Sequence, residues 1–175
     1  YRRSQIAGGT YFFTVVTRQR RPVLTETYAR SALRTAIQQA RTTLPFVIEA
    51  WVLMPDHLHC IWTLPPGDMN YPARWAIIKR HVSRAMGSNE AALSEGARQK
   101  RGEYRFWQRR FWEHLIRNEE DLRRHLDYIH WNPVKHGCAR TVAEWPYSSF
   151  HRYVSAGVYV ADWGGAGAAL EGDFG

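Results

Sequence analysis

Two imidazoles and a phenol carry the chemical signal in this chain. His57-Leu58-His59 opens a stretch, 57–64, whose apolar and aromatic residues predict a β-strand. Residues two apart on a strand point to the same face, so His57 and His59 aim together while Leu58, Cys60 and Trp62 face the other way. Same-face imidazoles are a minimal metal clamp, although the pair alone more readily fits two ordinary polar residues at a sheet edge. Tyr128 and Asn132 lie four apart on a predicted helix and share one of its faces. If that face covers the histidine strand, the Asn132 amide oxygen completes a three-ligand site, with Tyr128 one turn away. A phenol with a pKa of about 10 is a poor nucleophile without help, and a metal that polarises a phosphate provides it. The set suits phosphoryl transfer. Two imidazoles and an amide are neutral ligands that leave room for phosphate oxygens and water. Octahedral Mg²⁺ or Mn²⁺ fits that role, with Zn²⁺ the rival because it favours imidazole. Without the histidines, Tyr128 would read as a ring at the core boundary and Asn132 as a C-terminal helix cap before Pro133.

The elements that must position these groups follow from periodicity. A β-branched, aromatic run predicts a strand over 10–17. Ala29, Leu33, Ala36, Ile37, Ala40 and Leu44 recur at helical spacing, giving a helix over 26–43 that ends near Pro45. A second strand over 46–54 is turned by Pro55-Asp56 into the histidine strand. Trp75, Ile78, Val82 and Met86 predict a second helix over 73–86, followed by a polar, mobile connector over 87–102. A fourth strand covers 111–116. Asn118 then caps a third helix, with Asp121 at capping-box distance and Leu122, Leu126 and Ile129 as its core stripe. That helix is expected to stop near Trp131, because Asn132 precedes a proline. The aromatic stretch 145–153 is expected to pack on the domain. The order matches an α+β, ferredoxin-like split βαβ fold: a four-stranded antiparallel sheet with two helices on one face, and the other face free for a substrate or the third helix.

Composition bounds the partner. Of 175 residues, 24 are Lys or Arg and 16 are Asp or Glu, a net charge of +8 that favours a polyanion. From Arg98 to Arg110 the basic residues alternate with Tyr104, Phe106 and Trp107, the pairing of cations with flat rings that holds single-stranded nucleic acid. Candidate DNA contacts are Arg2, Arg3, Lys79, Arg80, Arg84, Arg105, Trp107, Arg109, Arg110 and Lys135; solvated faces and core aromatics are the competing reading. Two cysteines exclude a disulfide-dense scaffold. The start of the chain, Tyr1-Arg2-Arg3, leads into a β-like run rather than the long apolar segment of a signal peptide. A soluble cytoplasmic protein with no membrane association is expected. One domain over 1–160 and a flexible, Gly-rich acidic tail over 161–175 complete the outline.

Ordered motifs then point to a family. Gly8-Gly9-Thr10-Tyr11-Phe12-Phe13-Thr14, Leu53-Met54-Pro55-Asp56-His57-Leu58-His59, Phe111-Trp112-Glu113-His114, Tyr128-Ile129-His130-Trp131-Asn132-Pro133-Val134-Lys135-His136-Gly137 and Trp145-Pro146-Tyr147-Ser148-Ser149-Phe150 resemble the REP-associated tyrosine transposases, a branch of the single-tyrosine HUH nucleases. The similarity runs over about residues 1–163. It implies that His57 and His59 are metal ligands, that Asn132 is the third ligand in place of the glutamine of related transposases, and that Tyr128 is the nucleophile. Such an enzyme forms a 5′-phosphotyrosine with cleaved single-stranded DNA, frees a 3′-hydroxyl, and needs Mg²⁺ or Mn²⁺ but no ATP. Its substrate would be a REP-type palindromic hairpin beside a single-stranded guide sequence, bound by a monomer, with a homodimer as the alternative. His125, His114 and Glu113 are candidates for orienting a water or phosphate near the metal. Two rival functions stay open at this point: a hairpin-binding repressor without cleavage, and a metal hydrolase that uses activated water and leaves no protein–DNA adduct.

Overall fold

The structure, a computed structural model, describes residues 6–93 and 106–164, with side chains described to residue 87 in the first stretch. Its elements are β1 (Thr10–Val16), α1 (Thr27–Thr43), β2 (Val47–Leu53), β3 (His57–Thr63), α2 (Tyr71–Leu93), β4 (Trp112–Leu115), α3 (Glu119–Lys135) and α4 (Phe150–Ser155). The strands form one antiparallel sheet in the order β2-β3-β1-β4, so the histidine strand is central and the split βαβ expectation holds.

Register sorts the side chains. Thr14 pairs with His59 and Trp112, Phe12 with Ile61 and His114, and Val52 with His59. Paired residues share a face and neighbours along a strand alternate. One face therefore carries Phe12, Thr14, Val52, His57, His59, Ile61 and His114, and the other carries Tyr11, Phe13, Leu58, Cys60, Trp62 and Glu113. The second face packs against α1 and α2 in a core dominated by aromatic rings, with Trp62 and Trp75 stacked at 4.2 Å and 17°. The first face packs against α3 through Phe12, Ala50, Val52, Met54, Ile61, Tyr128 and Ile129.

Two boundaries differ from expectation. α2 begins earlier because the Asn70 side chain accepts from the Ala73 N–H at 3.2 Å and Pro72 sits in the first turn, where its missing N–H costs nothing. It also passes through Gly87 to Leu93, so the first part of the expected connector is helix; residues 94–102 of that connector lie outside the described residues. A mid-helix glycine costs about 1 kcal/mol, which the burial of Met86 and Gly87 offsets. α3 continues past Asn132 to Lys135 with Pro133 inside it. Proline there removes a single bond, to the Ile129 carbonyl. The turn still closes, because Cys138 N–H donates to the Pro133 carbonyl at 2.8 Å and Gly137 takes the left-handed conformation, φ +68°, that ends helices.

The C-terminal stretch clips the outer edge of β2. Leu53 N–H donates to Tyr147 O at 2.8 Å, Ser149 N–H to Trp51 O at 2.9 Å, and the Trp145 indole to Leu53 O at 3.0 Å. Residues 161–164 form a turn in which the Trp163 ring lies 4.6 Å from that of Tyr159. A Cβ on Gly164 would stand 2.7 Å from Val142 Cγ2, so only glycine closes this turn without displacement. The rest of the expected tail, 165–175, lies outside the described residues. Among the described residues no helix is long and apolar enough to cross a membrane.

Candidate active site

The turn between β2 and β3 is built to hold His57 still. Met54 N–H donates to His57 O at 2.8 Å, Leu24 N–H to Pro55 O at 2.8 Å, and Thr17 donates to Asp56 O through both its N–H and its hydroxyl at 2.9 Å. The Asp56 carboxylate accepts from His57 Nδ1 at 2.6 Å and from Arg20 at 3.1 Å. Gln19 and Arg20 both have positive φ, 57° and 51°, a strained backbone that delivers Arg20 to Asp56. Burial raises the Asp56 pKa, but the bond from His57 and the charge of Arg20 outweigh it and hold the carboxyl below its ordinary value.

His59 is 3% exposed. Burial, then the neighbouring charges of His57 and His136, push its pKa well below the usual imidazole range, so the ring is neutral. Its Nδ1 is bonded to the Thr14 hydroxyl at 2.8 Å, and its Nε2 is buried without a partner. Asn132 comes from α3, with Oδ1 3.2 Å from His57 Nε2 and Nδ2 buried without a partner. A carboxylate only accepts, so His57 Nδ1 donates to Asp56, and Nε2 is left to face the Asn132 amide oxygen. A cation between these two atoms would take both as ligands, and the bare Nε2 of His59 supplies another. Two imidazole nitrogens and an amide oxygen therefore fit a divalent ion.

Tyr128 completes the group. It is 6% exposed, its ring lies 5.1 Å from that of His59, and the Lys135 ammonium stands 4.9 Å above its ring. The His57 ring lies 4.8 Å from His59 and 5.2 Å from His136. His57, His59, Tyr128 and Asn132 are brought together as the spacing predicts.

Comparison with known proteins agrees. Residues 6–132 match the family model described as "Transposase IS200 like". Over 165 residues the chain is 47% identical to the REP-associated tyrosine transposase of Escherichia coli K12, covering 94% of this chain and 90% of that protein. The chain belongs to the REP-associated tyrosine transposases. A relative from Haemophilus influenzae with the same family description is 46% identical, covering 94% of this chain and 93% of its own length. A solved REP-associated tyrosine transposase bound to a REP hairpin superposes with a TM-score of 0.81 at 46% identity, over 98% of this chain and 94% of that one. As a member of this family and of the HUH superfamily, the transposase is a DNA-transesterifying enzyme.

Other expected residues of the transposase are distributed less evenly. His114 and His125 lie beyond Phe12, whose ring is 5.4 Å from His59 and 4.9 Å from His125. Both bond Asp121: His114 Nε2 to Oδ2 at 2.9 Å, and His125 Nδ1 to the main-chain oxygen at 2.8 Å. These three side chains form a cluster able to hold a metal ion, their ligand atoms all within 4.8 Å of one another. Glu113 is a correction: strand alternation turns it onto the α1/α2 face, away from the histidines. Trp107, expected as a base-stacking ring, is 6% exposed in the core, because residues 106–108 bridge to the end of β1. Lys79 donates to the carbonyls of Gln108 at 2.6 Å and Arg109 at 3.3 Å and so anchors the basic segment. Arg80, Arg84, Arg109, Arg110 and Lys135 are exposed, and Arg2, Arg3 and Arg105 lie outside the described residues.

The sequence reading missed several groups. Asp56 and Thr14 orient the two histidines, and His136 adjoins His57. Asp56 was legible by adjacency; Thr14 depends on strand register. On the back of α3, His130 is bonded to Ser149 Oγ at 2.9 Å and to the Tyr159 hydroxyl at 3.2 Å, and Tyr159 donates to Asp127 at 2.7 Å. Burial, with the charge of Arg152, drives the His130 pKa down to about 3.

Proposed function

We propose that this transposase cuts and rejoins single-stranded DNA beside a REP-type hairpin, with Tyr128 as nucleophile. The Tyr128 oxygen attacks a backbone phosphorus, the bond to the 3′ oxygen breaks, and a 5′-phosphotyrosine and a free 3′-hydroxyl result. Attack on that linkage by the same or another 3′-hydroxyl restores a DNA phosphodiester and releases the tyrosine, so no nucleotide cofactor is consumed. The observation that carries the reading is the convergence of Tyr128 with His57 Nε2, the unpartnered His59 Nε2 and Asn132 Oδ1.

Those three atoms would hold Mg²⁺ or Mn²⁺, which when bound polarises the phosphate and stabilises the charge that develops. The chain's own groups set the stage. Asp56 and Thr14 fix the two rings. Lys135, its ammonium over the phenol ring, offers positive charge to an approaching phosphate. The exposed Arg80, Arg84, Arg109 and Arg110 supply charge for the DNA backbone. The enzyme works in the bacterial cytoplasm, as a monomer with a single domain through about residue 160 and an acidic tail beyond it.

The test is a denaturing protein gel after incubation with end-labelled hairpin oligonucleotides and Mg²⁺ or Mn²⁺. A covalent adduct that carries only the 3′ portion of the DNA, absent from Tyr128→Phe, is expected. Tight hairpin binding without an adduct would make the protein a binding module. Cleavage that survives Tyr128→Phe would make it a metal hydrolase.

A further inference from the structure

We propose that His114, Asp121 and His125 form a second metal site, selective for a zinc-class ion and separate from the one assigned to His57, His59 and Asn132. The ligand set differs in kind. One carboxylate replaces the amide, so the site carries a formal negative charge, and two imidazoles remain. Mg²⁺ binds mainly through oxygens and would find a single hard ligand, whereas Zn²⁺ takes two histidines and one carboxylate with a fourth position open.

The ligand atoms are already gathered: they all lie within 4.8 Å of one another, where tetrahedral zinc with bonds of about 2.0–2.2 Å sets them roughly 3.3–3.5 Å apart. Without an ion they bond one another. His114 Nε2 lies 2.9 Å from Asp121 Oδ2, and His125 Nδ1 donates to the Asp121 main-chain oxygen at 2.8 Å and lies 3.2 Å from Oδ1, bonds that the ion would replace. The two rings stack at 4.5 Å and 16°, which brings both to the same carboxylate. Asp121 and His125 are four apart on α3 and share one of its faces, and His114 reaches across from β4. The surroundings hold the carboxylate in place: Arg117 N–H donates to Asp121 Oδ2 at 3.0 Å. The His114 and Asp121 side chains are 20% and 15% exposed, which leaves the ion a route in.

An ion here would bridge β4 to the first turns of α3, one turn before Tyr128. The site thus ties the strand beside the substrate face to the helix that carries the nucleophile. It does not depend on the role of Tyr128.

The experiment titrates Zn²⁺ into the full chain carrying His57→Gln and His59→Gln, by calorimetry. One equivalent is expected to bind, unaffected by millimolar Mg²⁺, and its affinity should fall on the order of 10-fold or more when His114→Gln or His125→Gln is added. No Zn²⁺ binding in the His57→Gln/His59→Gln protein, or binding that is indifferent to both further substitutions, would overturn the proposal. A readout without substitutions guards against a misfolded variant. In imidazole ¹H–¹⁵N spectra of the unaltered protein, Zn²⁺ should shift His114 and His125 together, and spectra in which only His57 and His59 respond would overturn it equally.

Discussion

The two faces of β3 are equally buried and chemically unlike. Leu58, Cys60 and Trp62 meet α1 and α2, while His57, His59 and Ile61, one residue out of phase, meet α3. Among the described residues, each side contains two buried side-chain polar atoms without a hydrogen-bond partner. On the α1/α2 side these are the indole nitrogens of Trp75 and Trp107; on the α3 side they are His59 Nε2 and Asn132 Nδ2. An indole N–H can only donate, so its isolation is a cost that ring packing offsets. Asn132 Nδ2 is likewise a donor only, left over when its amide oxygen faces His57. His59 Nε2 differs: a neutral imidazole with its other nitrogen engaged keeps a lone pair, and that can take a metal. An unpartnered buried atom points to function when its chemistry admits a ligand, and to packing when it does not.

The contrast can be broken from either side. Tyr128→Phe should abolish adduct formation, a rate loss on the order of 10⁴-fold or more, while the denaturation midpoint stays near that of the wild type; a shared loss of both would erase the distinction. Trp62→Ala should do the opposite, with destabilisation of about 3–5 kcal/mol by urea titration and ordinary chemistry in whatever fraction stays folded. Asp56→Asn replaces the charged acceptor that holds His57 Nδ1 with a neutral amide. It should weaken Mn²⁺ binding roughly 10–100-fold and change stability little.

pH sharpens the comparison further. The His130 pKa lies at about 3, below the ordinary value of 6.5. The unfolded chain therefore takes up a proton that the folded chain refuses as pH falls below 6.5. Stability from this group is complete above that pH and is lost progressively down to about 3, with on the order of 2 kcal/mol gone at pH 5. Denaturation midpoints measured from pH 7.5 to 5 should fall, and His130→Gln should flatten the slope. An unchanged slope would remove His130 as the source.

Much of this was legible from alternation. The His57/His59 pair, the apolar face behind it and the central place of β3 follow from a period of two along the strand. The same rule applied to β4 would have turned Glu113 away from His114, and there the sequence reading stopped short. Pro133 misled because a local bias was set against a helix docked on the sheet through Ile129 and held on its far side through His130. Trp107 misled because an aromatic between arginines looks the same in sequence whether it stacks on a base or fills a core. Thr14 depended on the β1–β3 register, a long-range pairing with no local signature.

The bonds from Ser149 and Tyr159 to α3 have a consequence in time. Synthesis runs from the N-terminus, so the histidine turn and Tyr128 exist as polymer before residues 149 and 159 are made. Until those residues arrive, His130 lacks both of its partners and the edge of β2 is uncovered. A chain still on the ribosome, or one ended early, holds Tyr128 and the histidine pair without the clasp that seats α3. The seating of α3 is thereby coupled to the arrival of residues 149 and 159.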